Sequence, residues 1–291
     1  MTANLSLREL EAVEVPCVLC GSTKQRFLHS NCSLHIVECQ ECKFVFVNPQ
    51  PTEQALRQYH SPSELLTQDG WSSYFEHSTE QVAELWTERV GDLARWKQGP
   101  DVKLLDIGAG YGDFLHYASK RGWRVSGFEF SPAAALVSQQ KYGIPLAVGD
   151  LSDMTFHAGS FDLITMWHVL EHLCDPLSAL QRCRGLLAPA GVLAIEVPNL
   201  HFIVRKSYRY PLDATLHLSH FSPNTLKAVL RKSGFKVLEC RPGNTGFQYS
   251  NKAKIYAKKC LYLLSRGVEK LSGANIGDSI RLYATPDGLA H

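Results

Sequence analysis

The sequence predicts an α/β fold in which a doubly wound parallel sheet is covered by helices on both faces. Strand-like and helix-like segments alternate from residue 102 onward, as βαβ units require. The first strand-like run, KLLDI, passes directly into the glycine-rich GAGYG and then into a helix-like run. These two observations place a ligand-binding turn at the first strand–helix junction.

Apolar runs bounded by turn residues predict the strands of this sheet. In chain order they are KLLDIG, WRVSGFEF, IPLAVGD, FDLITMW, GVLAIEVPN, FKVLECRP and SIRLYATP. The helices between them carry capping signals, because Gly122 follows the first and Ser131-Pro132 begins the second. LCDPLSALQRCRGLL and SPNTLKAVLRKSG predict two further helices, and an earlier apolar repeat predicts one from Val82 to Trp96.

Composition is ordinary for a globular protein. Of 291 residues, 45% are hydrophobic and 20% charged, and a net charge of +2 does not favour a nucleic-acid partner. The N-terminal stretch has no apolar core of signal-peptide length, and 18 apolar residues never follow one another. We therefore expect a cytoplasmic protein with no transmembrane segment, and the oligomeric state stays open.

Two cysteine pairs stand apart from the rest of the nine cysteines. The spacing C-x2-C-x18-C-x2-C is typical of a structural zinc site. Four thiolates leave a tetrahedral ion no open position, so the zinc would be structural. The predicted ligands are Cys17, Cys20, Cys39 and Cys42. The alternative is a set of reduced buried thiols.

Details of the two pairs fit this prediction. Gly21 suits the tight turn after Cys20, and Lys43 at the matching place is a small departure. Cys32 is expected to stay outside the metal shell. We predict three regions: a zinc ribbon over 1–50, a helical linker or lid over 51–99 and the ligand-binding domain over 100–291.

The glycine loop indicates the class of ligand. Gly108, Gly110 and Gly112 can adopt positive φ and let a ligand approach the backbone, although a turn needed only for packing is the alternative. A dinucleotide fingerprint would have its third glycine where Asp113 stands. Since Asp106 adds a second carboxylate, a cationic or zwitterionic ligand fits better than a diphosphate.

Two further carboxylates indicate an adenosine. Glu129 ends the second strand, where a carboxylate can accept hydrogen bonds from both ribose hydroxyls. Asp150 ends the third strand, where it can accept from an exocyclic amine. An acidic loop together with these two groups describes an adenosine that carries a positive charge, S-adenosylmethionine.

In these features the chain resembles the class I S-adenosylmethionine-dependent methyltransferases. The resemblance rests on four segments in the family's order: DIGAGYGDF, FEFSP, GDLSDMTFHAGSFDLITMWHVLEHLCDP and LLAPAGVLAIEVPN. It implies a Rossmann-like seven-stranded sheet whose last strand, SIRLYATP, inserts antiparallel. It also implies cofactor-binding roles for Asp106, Gly108, Gly110, Gly112, Glu129, Phe130, Asp150, Leu151 and Trp167. By the same resemblance, Trp167 and His168 border the sulfonium.

A zinc ribbon followed by helices and a methyltransferase domain is similar to a recurring bacterial arrangement. The resemblance implies a small-molecule acceptor such as a sugar or another secondary metabolite. A hydroxyl is the first expectation for the methylated atom and a carbon the second. The alternatives are methylation of an RNA or a protein gripped by the ribbon, or a non-catalytic scaffold that retains the cofactor fold.

Histidine is the natural base for a hydroxyl acceptor because its pKa lies near neutral pH. We predict His220 as the base and His168 as the second candidate. The spacing of WHVLEH predicts His168 and His172 on one face of a helical turn, with His217 and His220 in a loop over the same crevice. An amine acceptor needs only orientation.

Two other segments carry weaker signals. Tyr59, Trp71, Tyr74 and Phe75 could stack on a ring-shaped acceptor, although a core role fits equally well. Residues 252–270 form a basic helical pattern that is most typical of a solvated face. The alternative is contact with a phosphate-bearing substrate or an anionic membrane surface.

Overall fold

The structure is a computed structural model that describes residues 11–31, 34–59, 79–149, 151–201, 217–243 and 277–288. Within them, no helix is long and apolar enough to cross a membrane. Cys32, Asp150, Trp71, Tyr74, Phe75, the side chain of Tyr59 and the basic segment 252–270 lie outside the described part of the chain.

Seven strands form the main sheet, in the spatial order β12-β13-β10-β9-β6-β7-β8. They are β6 (Lys103–Ile107), β7 (Arg124–Glu129), β8 (Leu146–Val148), β9 (Phe161–Trp167), β10 (Leu187–Pro198), β12 (Phe235–Gly243) and β13 (Ser279–Pro286). The five strands that lie side by side in the order β8-β7-β6-β9-β10 pair in parallel. Strand β13 lies antiparallel between β10 and β12. The predicted sheet and its antiparallel last strand are confirmed.

Helices cover this sheet, and the predicted capping residues begin two of them. The described helices are α1 (Glu53–Tyr59), α2 (Thr79–Leu93), α3 (Asp113–Lys120), α4 (Pro132–Tyr142), α5 (Pro176–Leu186) and α6 (Pro223–Lys232). Ser131 caps α4 and Ser222 caps α6, each with proline at the first helical position. Helix α2 ends at Leu93, several residues before the breaker pair Gly99-Pro100.

The cysteine-bearing region forms a second, smaller sheet. Its strands are β2 (Gln25–Asn31), β3 (Leu34–Cys39) and β4 (Val45–Val47), joined by β11 (Ser219–His220) from far along the chain. A separate two-stranded ribbon pairs β1 (Ala12–Val13) with β5 (Gln50–Pro51). Because β11 pairs antiparallel with β4, the small sheet holds the segment that carries His220.

Apolar packing fixes this junction between the two sheets. Phe221 is fully buried and its ring lies 5.6 Å from that of Phe44. The Val47 N–H donates to the Leu218 carbonyl at 2.9 Å, and the Lys232 ammonium donates to the Leu19 carbonyl at 2.6 Å. The small sheet is thus packed against α6 and the strand ends of the main sheet.

Candidate functional site

The three loop glycines follow β6, and all three have positive φ, but they differ in what surrounds them. A Cβ on Gly108 would lie 2.4 Å from Val169, and one on Gly112 would lie 2.2 Å from Ser138. A Cβ on Gly110 would meet no atom within 4 Å. Close packing therefore accounts for the outer two glycines, whereas Gly110 leaves its space open to a ligand.

Glu129 lies at the end of β7, directly beside this loop. Its carboxylate accepts the Gly110 N–H at 2.7 Å and the Ser131 N–H at 2.9 Å, one on each oxygen. Each oxygen keeps a lone pair for a further donor, as two ribose hydroxyls require. The next residue, Phe130, is exposed, with 39% of its surface open to solvent. An exposed ring beside a bidentate carboxylate fits an adenosine.

Leu151 is another residue of the predicted cofactor set. Leu151 begins a 3-10 helix, Leu151–Asp153, that follows β8 and packs against the core. Asp150 immediately precedes it and lies outside the described residues.

The two acidic residues that flank the loop have different surroundings. Burial raises the pKa of the Asp106 carboxyl to about 7, although the Thr165 hydroxyl donates to it at 2.6 Å. The Asp113 carboxylate receives hydrogen bonds from Lys141 and from the Tyr142 hydroxyl. Since Lys141 offsets its charge, Asp113 repels an anionic ligand less than the sequence suggests.

Trp167 ends β9 and is buried beneath the loop. The Arg89 guanidinium lies between the Trp86 and Trp167 rings, 4.6 Å from each centroid. Arg89 also pairs with the buried Glu196 at 3.3 Å. A cation–π sandwich closed by an ion pair therefore fixes the indole.

Sequence reasoning missed Arg89, although a signal was present. The apolar repeat of α2 includes Leu85, Trp86, Val90 and Leu93, and Arg89 lies on that same stripe. A charged residue at such a position is 1% exposed here, so it must have a buried partner. Glu196 is that partner and lies on a strand distant in sequence.

His168 lies between two buried carboxylates. Its Nδ1 is 3.3 Å from Glu171 and its Nε2 is 3.8 Å from Glu196. Burial lowers the pKa of His168, but the two carboxylates outweigh that effect and hold the pKa at about 9. A φ of 57° puts its backbone in the left-handed region, which is strained for a non-glycine residue.

The predicted helical turn across WHVLEH is wrong. Only Leu170–His172 is helical, as a single 3-10 turn, and His168 precedes it in the left-handed conformation. The two histidines meet instead through Glu171, whose Oε1 is 3.3 Å from His168 Nδ1 and 3.9 Å from His172 Nε2. The carboxylate, not a shared helix face, brings them together.

The other histidines gather at the same edge of the sheet. The ring centroids of His172 and His217 are 4.9 Å apart, and those of His217 and His220 are 6.2 Å apart. His220 lies in β11 rather than in a loop and is 4% exposed. The predicted crevice histidines therefore form one cluster with Glu171, beyond the carboxyl ends of β9 and β10.

The four predicted zinc ligands also converge. Their sulfur atoms all lie within 4.8 Å of one another, with Cys17–Cys42 at 3.5 Å and Cys20–Cys39 at 3.4 Å. Tetrahedral zinc with bonds of about 2.3 Å holds its sulfurs roughly 3.8 Å apart. The thiols therefore fit a zinc ion.

The two cysteine turns share one backbone pattern. The Gly21 N–H donates to the Cys17 carbonyl at 2.7 Å, and the Lys43 N–H donates to the Cys39 carbonyl at 3.0 Å. Gly21 has φ 78° and Lys43 has φ 63°, so lysine adopts the conformation that glycine adopts in the first turn. This strain costs lysine about 1–2 kcal/mol.

The pKa values of two of these thiols, Cys17 and Cys39, are shifted in opposite directions. Burial is the largest cause for Cys17. It raises the pKa of Cys17 to about 11. It acts in the same direction on Cys39, but hydrogen bonds from the Cys42 backbone and the Cys20 side chain outweigh it and hold the pKa at about 7. Of these two thiols, Cys39 therefore loses its proton more readily.

Known proteins resemble this chain in sequence and fold. The profile of the methyltransferase domain family matches residues 77–240, which is more than half of the chain. The chain belongs to the methyltransferase domain family. The matched region runs from α2 to β12 and so contains the glycine loop, Glu129 and the His168–Glu171 pair.

Individual relatives of this methyltransferase-family chain match over shorter stretches. A ubiquinone biosynthesis O-methyltransferase from Histophilus somni is 34% identical over 112 residues, 35% of this chain and 47% of the relative. A protein of the same name from Coxiella burnetii is 30% identical over 125 residues, which are 41% of this chain and 52% of the relative. The chain spans about half the length of the curated relatives it matches.

Solved structures share the fold at low identity. A structure described as a putative sarcosine dimethylglycine methyltransferase from Galdieria sulphuraria has a TM-score of 0.55 and 18% identity, and covers 74% of this chain and 90% of its own. These values establish a Rossmann-like methyltransferase fold, as the sequence predicts. The likeness to this structure concerns the fold and not the methyl acceptor.

Proposed function

We propose that this chain transfers a methyl group from S-adenosylmethionine to a hydroxyl of a small molecule. The observation that carries the proposal is the open space at Gly110 beside the Glu129 carboxylate and the exposed Phe130 ring. These groups fit the ribose and adenine of the cofactor. When bound, S-adenosylmethionine supplies an electrophilic methyl group.

One set of residues in this proposal binds the cofactor, and another binds the acceptor. Glu129 accepts the ribose hydroxyls, Phe130 stacks on the adenine, and Asp150 and Leu151 read its edge. Gly108, Gly110, Gly112 and Asp106 surround the methionine moiety, and Trp167 closes the wall beneath it. The histidine cluster lies beyond the carboxyl ends of β9 and β10, where the acceptor enters.

His220 is the proposed base. A hydroxyl must lose its proton as it attacks the methyl carbon, and a neutral imidazole near the acceptor accepts it. His168 suits a positioning role better, since two carboxylates hold it in place. The names of the relatives, O-methyltransferases of ubiquinone biosynthesis, support oxygen over carbon as the methylated atom.

A structural zinc ion bound by Cys17, Cys20, Cys39 and Cys42 completes the proposal. Four thiolates leave the ion no open position, so its role is to fold the small sheet. That sheet in turn holds β11 and the histidines that precede and end it.

Transfer of an isotopically labelled methyl group tests the function. The chain is incubated with S-adenosylmethionine labelled at the methyl carbon and with pools of phenolic, sugar and amine acceptors. We expect the label as an O-methyl ether of a phenol or sugar acceptor, together with an equal amount of S-adenosylhomocysteine. Label in an amine or in added RNA or protein would contradict the acceptor class. A lack of turnover with every pool, despite cofactor binding, would favour the scaffold alternative.

A further inference from the structure

Glu171, His172 and His217 bring three potential metal ligands together at the acceptor edge of the sheet. One ligand atom from each residue lies within 4.8 Å of the other two. These three residues are separate from the four cysteines, and they belong to the histidine cluster on the acceptor side of the site. Two imidazoles and one carboxylate form a ligand set that binds divalent transition ions and leaves coordination positions open.

Glu171 carries the strongest sign of a missing partner. Its side chain is 1% exposed, and its Oε2 has no hydrogen-bond partner among the residues that the structure describes. A buried carboxylate oxygen without a donor is costly in a native protein, so it calls for a ligand. Its other oxygen, Oε1, receives His168 Nδ1 at 3.3 Å and lies 3.9 Å from His172 Nε2.

The chain holds the three ligands from two directions. Glu171 and His172 belong to the 3-10 turn Leu170–His172, which follows β9. His217 comes from the segment before β11, where the Val47 N–H of the small sheet donates to the Leu218 carbonyl at 2.9 Å. Both anchors are fixed by backbone hydrogen bonds, so the side chains need only small torsional changes to close on an ion.

We propose that Glu171, His172 and His217 bind one divalent first-row transition ion. Ligand atoms about 2.0–2.1 Å from an ion lie roughly 3.3 Å apart in a tetrahedral site, so the present separations of up to 4.8 Å must close by at most about 1.5 Å. His168 acts as the outer-sphere partner, because it donates to the Glu171 carboxylate and orients it.

The role of the ion rests on the proposed function. A divalent ion with open positions can hold a hydroxyl oxygen of the acceptor and lower the pKa of that hydroxyl. His220, whose ring lies 6.2 Å from that of His217, is near enough to receive the proton. The ion thereby orients the acceptor while the chain holds the cofactor on the other side.

Cobalt binding tests the site without cofactor or acceptor. The full chain is purified with the metal of its cysteine cluster in place, is freed of loosely bound metal by gel filtration, and is titrated with Co²⁺ while absorption and heat are recorded. The cysteine cluster reports itself through sulfur-to-cobalt charge-transfer bands, whereas the histidine site gives only weak d–d bands. We expect one equivalent of Co²⁺ with the second spectrum.

Variants assign that signal. His217→Ala and Glu171→Gln should each weaken the charge-transfer-free Co²⁺ binding at least about tenfold, as loss of an outer-sphere partner already can. His157→Ala, an exposed histidine outside the cluster, should leave it unchanged. His172→Gln, a milder change, serves if either first variant loses its circular dichroism signal.

Two outcomes overturn the proposal: Co²⁺ binding only with charge-transfer bands, or weak-band binding that survives all folded ligand variants. S-adenosylhomocysteine affinity is measured separately in the same chain before Co²⁺ is added. If the chain binds the cofactor but not Co²⁺, the metal site is wrong and the proposed function is unaffected. Co²⁺ binding without cofactor affinity does the reverse.

Discussion

Asp106 is a buried acid whose protonation changes near neutral pH. Burial raises its pKa from 3.8 to about 7. Between about pH 4 and pH 7 the folded chain therefore keeps a proton that the unfolded chain has released, so this residue lowers stability as pH rises. The effect has a scale of about 1.4 kcal/mol per pKa unit.

Asp106→Asn removes that titration and keeps an acceptor for the Thr165 hydroxyl. We expect the free energy of unfolding of the variant, relative to the parent, to increase as pH rises from 4 to 7. Urea unfolding at several pH values measures it. Asp101→Asn, which alters an exposed pair with Arg124, is the control. If the parent and Asp106→Asn curves run parallel across this range, the raised pKa is wrong.

His220 and His168 have separable roles under the proposed function. His220→Ala should lower turnover by about 10²–10⁴, the usual contribution of a base, and leave cofactor affinity nearly unchanged. His168→Ala should also weaken cofactor affinity, because it leaves Glu171 and Glu196 without their shared partner beside Trp167. Steady-state kinetics and calorimetry on both variants decide. Unchanged turnover in His220→Ala would show that the base lies elsewhere.

The small sheet links the cysteine cluster to the histidine cluster through one pair of strands. Ser219 and His220 of β11 are in register with Phe46 and Val45 of β4. Under the proposed function, loss of the zinc ion should therefore disturb the acceptor side of the site more than the glycine loop.

Cys39→Ser tests this link. We expect zinc content to fall sharply from near one equivalent, turnover to fall with it, and S-adenosylhomocysteine affinity to fall less. Elemental analysis and calorimetry provide the two readouts, with Cys240→Ser as a control outside the cluster. Full zinc content in Cys39→Ser would contradict a four-thiolate site.

At the scale of elements, local signals predicted most of the fold. The glycines, the Ser-Pro caps and each C-x2-C pair act within a few residues, and each appears where the sequence places it. The pairing of β11 with β4 joins segments more than 170 residues apart in the chain, and no local pattern encodes it. Arg89 was missed for a similar reason, since only tertiary structure places Glu196 beside it.

At the scale of the whole molecule, one edge of the main sheet collects the functional groups. The glycine loop and Glu129 lie at the carboxyl ends of β6 and β7, and the histidine cluster lies beyond β9 and β10. The sequence predicts this shared edge because parallel strands point the same way. The link through Glu171 emerges only from the three-dimensional arrangement.

Calorimetric titration with S-adenosylhomocysteine measures the proposed cofactor site itself. We expect one equivalent to bind the parent chain, no heat with NAD, and a loss of about 1.5–3 kcal/mol in binding free energy for Glu129→Ala, the worth of a charge-assisted hydrogen bond. Glu41→Ala, which alters an exposed pair with Lys24, should bind like the parent. Tight binding of NAD with no response to S-adenosylhomocysteine would contradict the account.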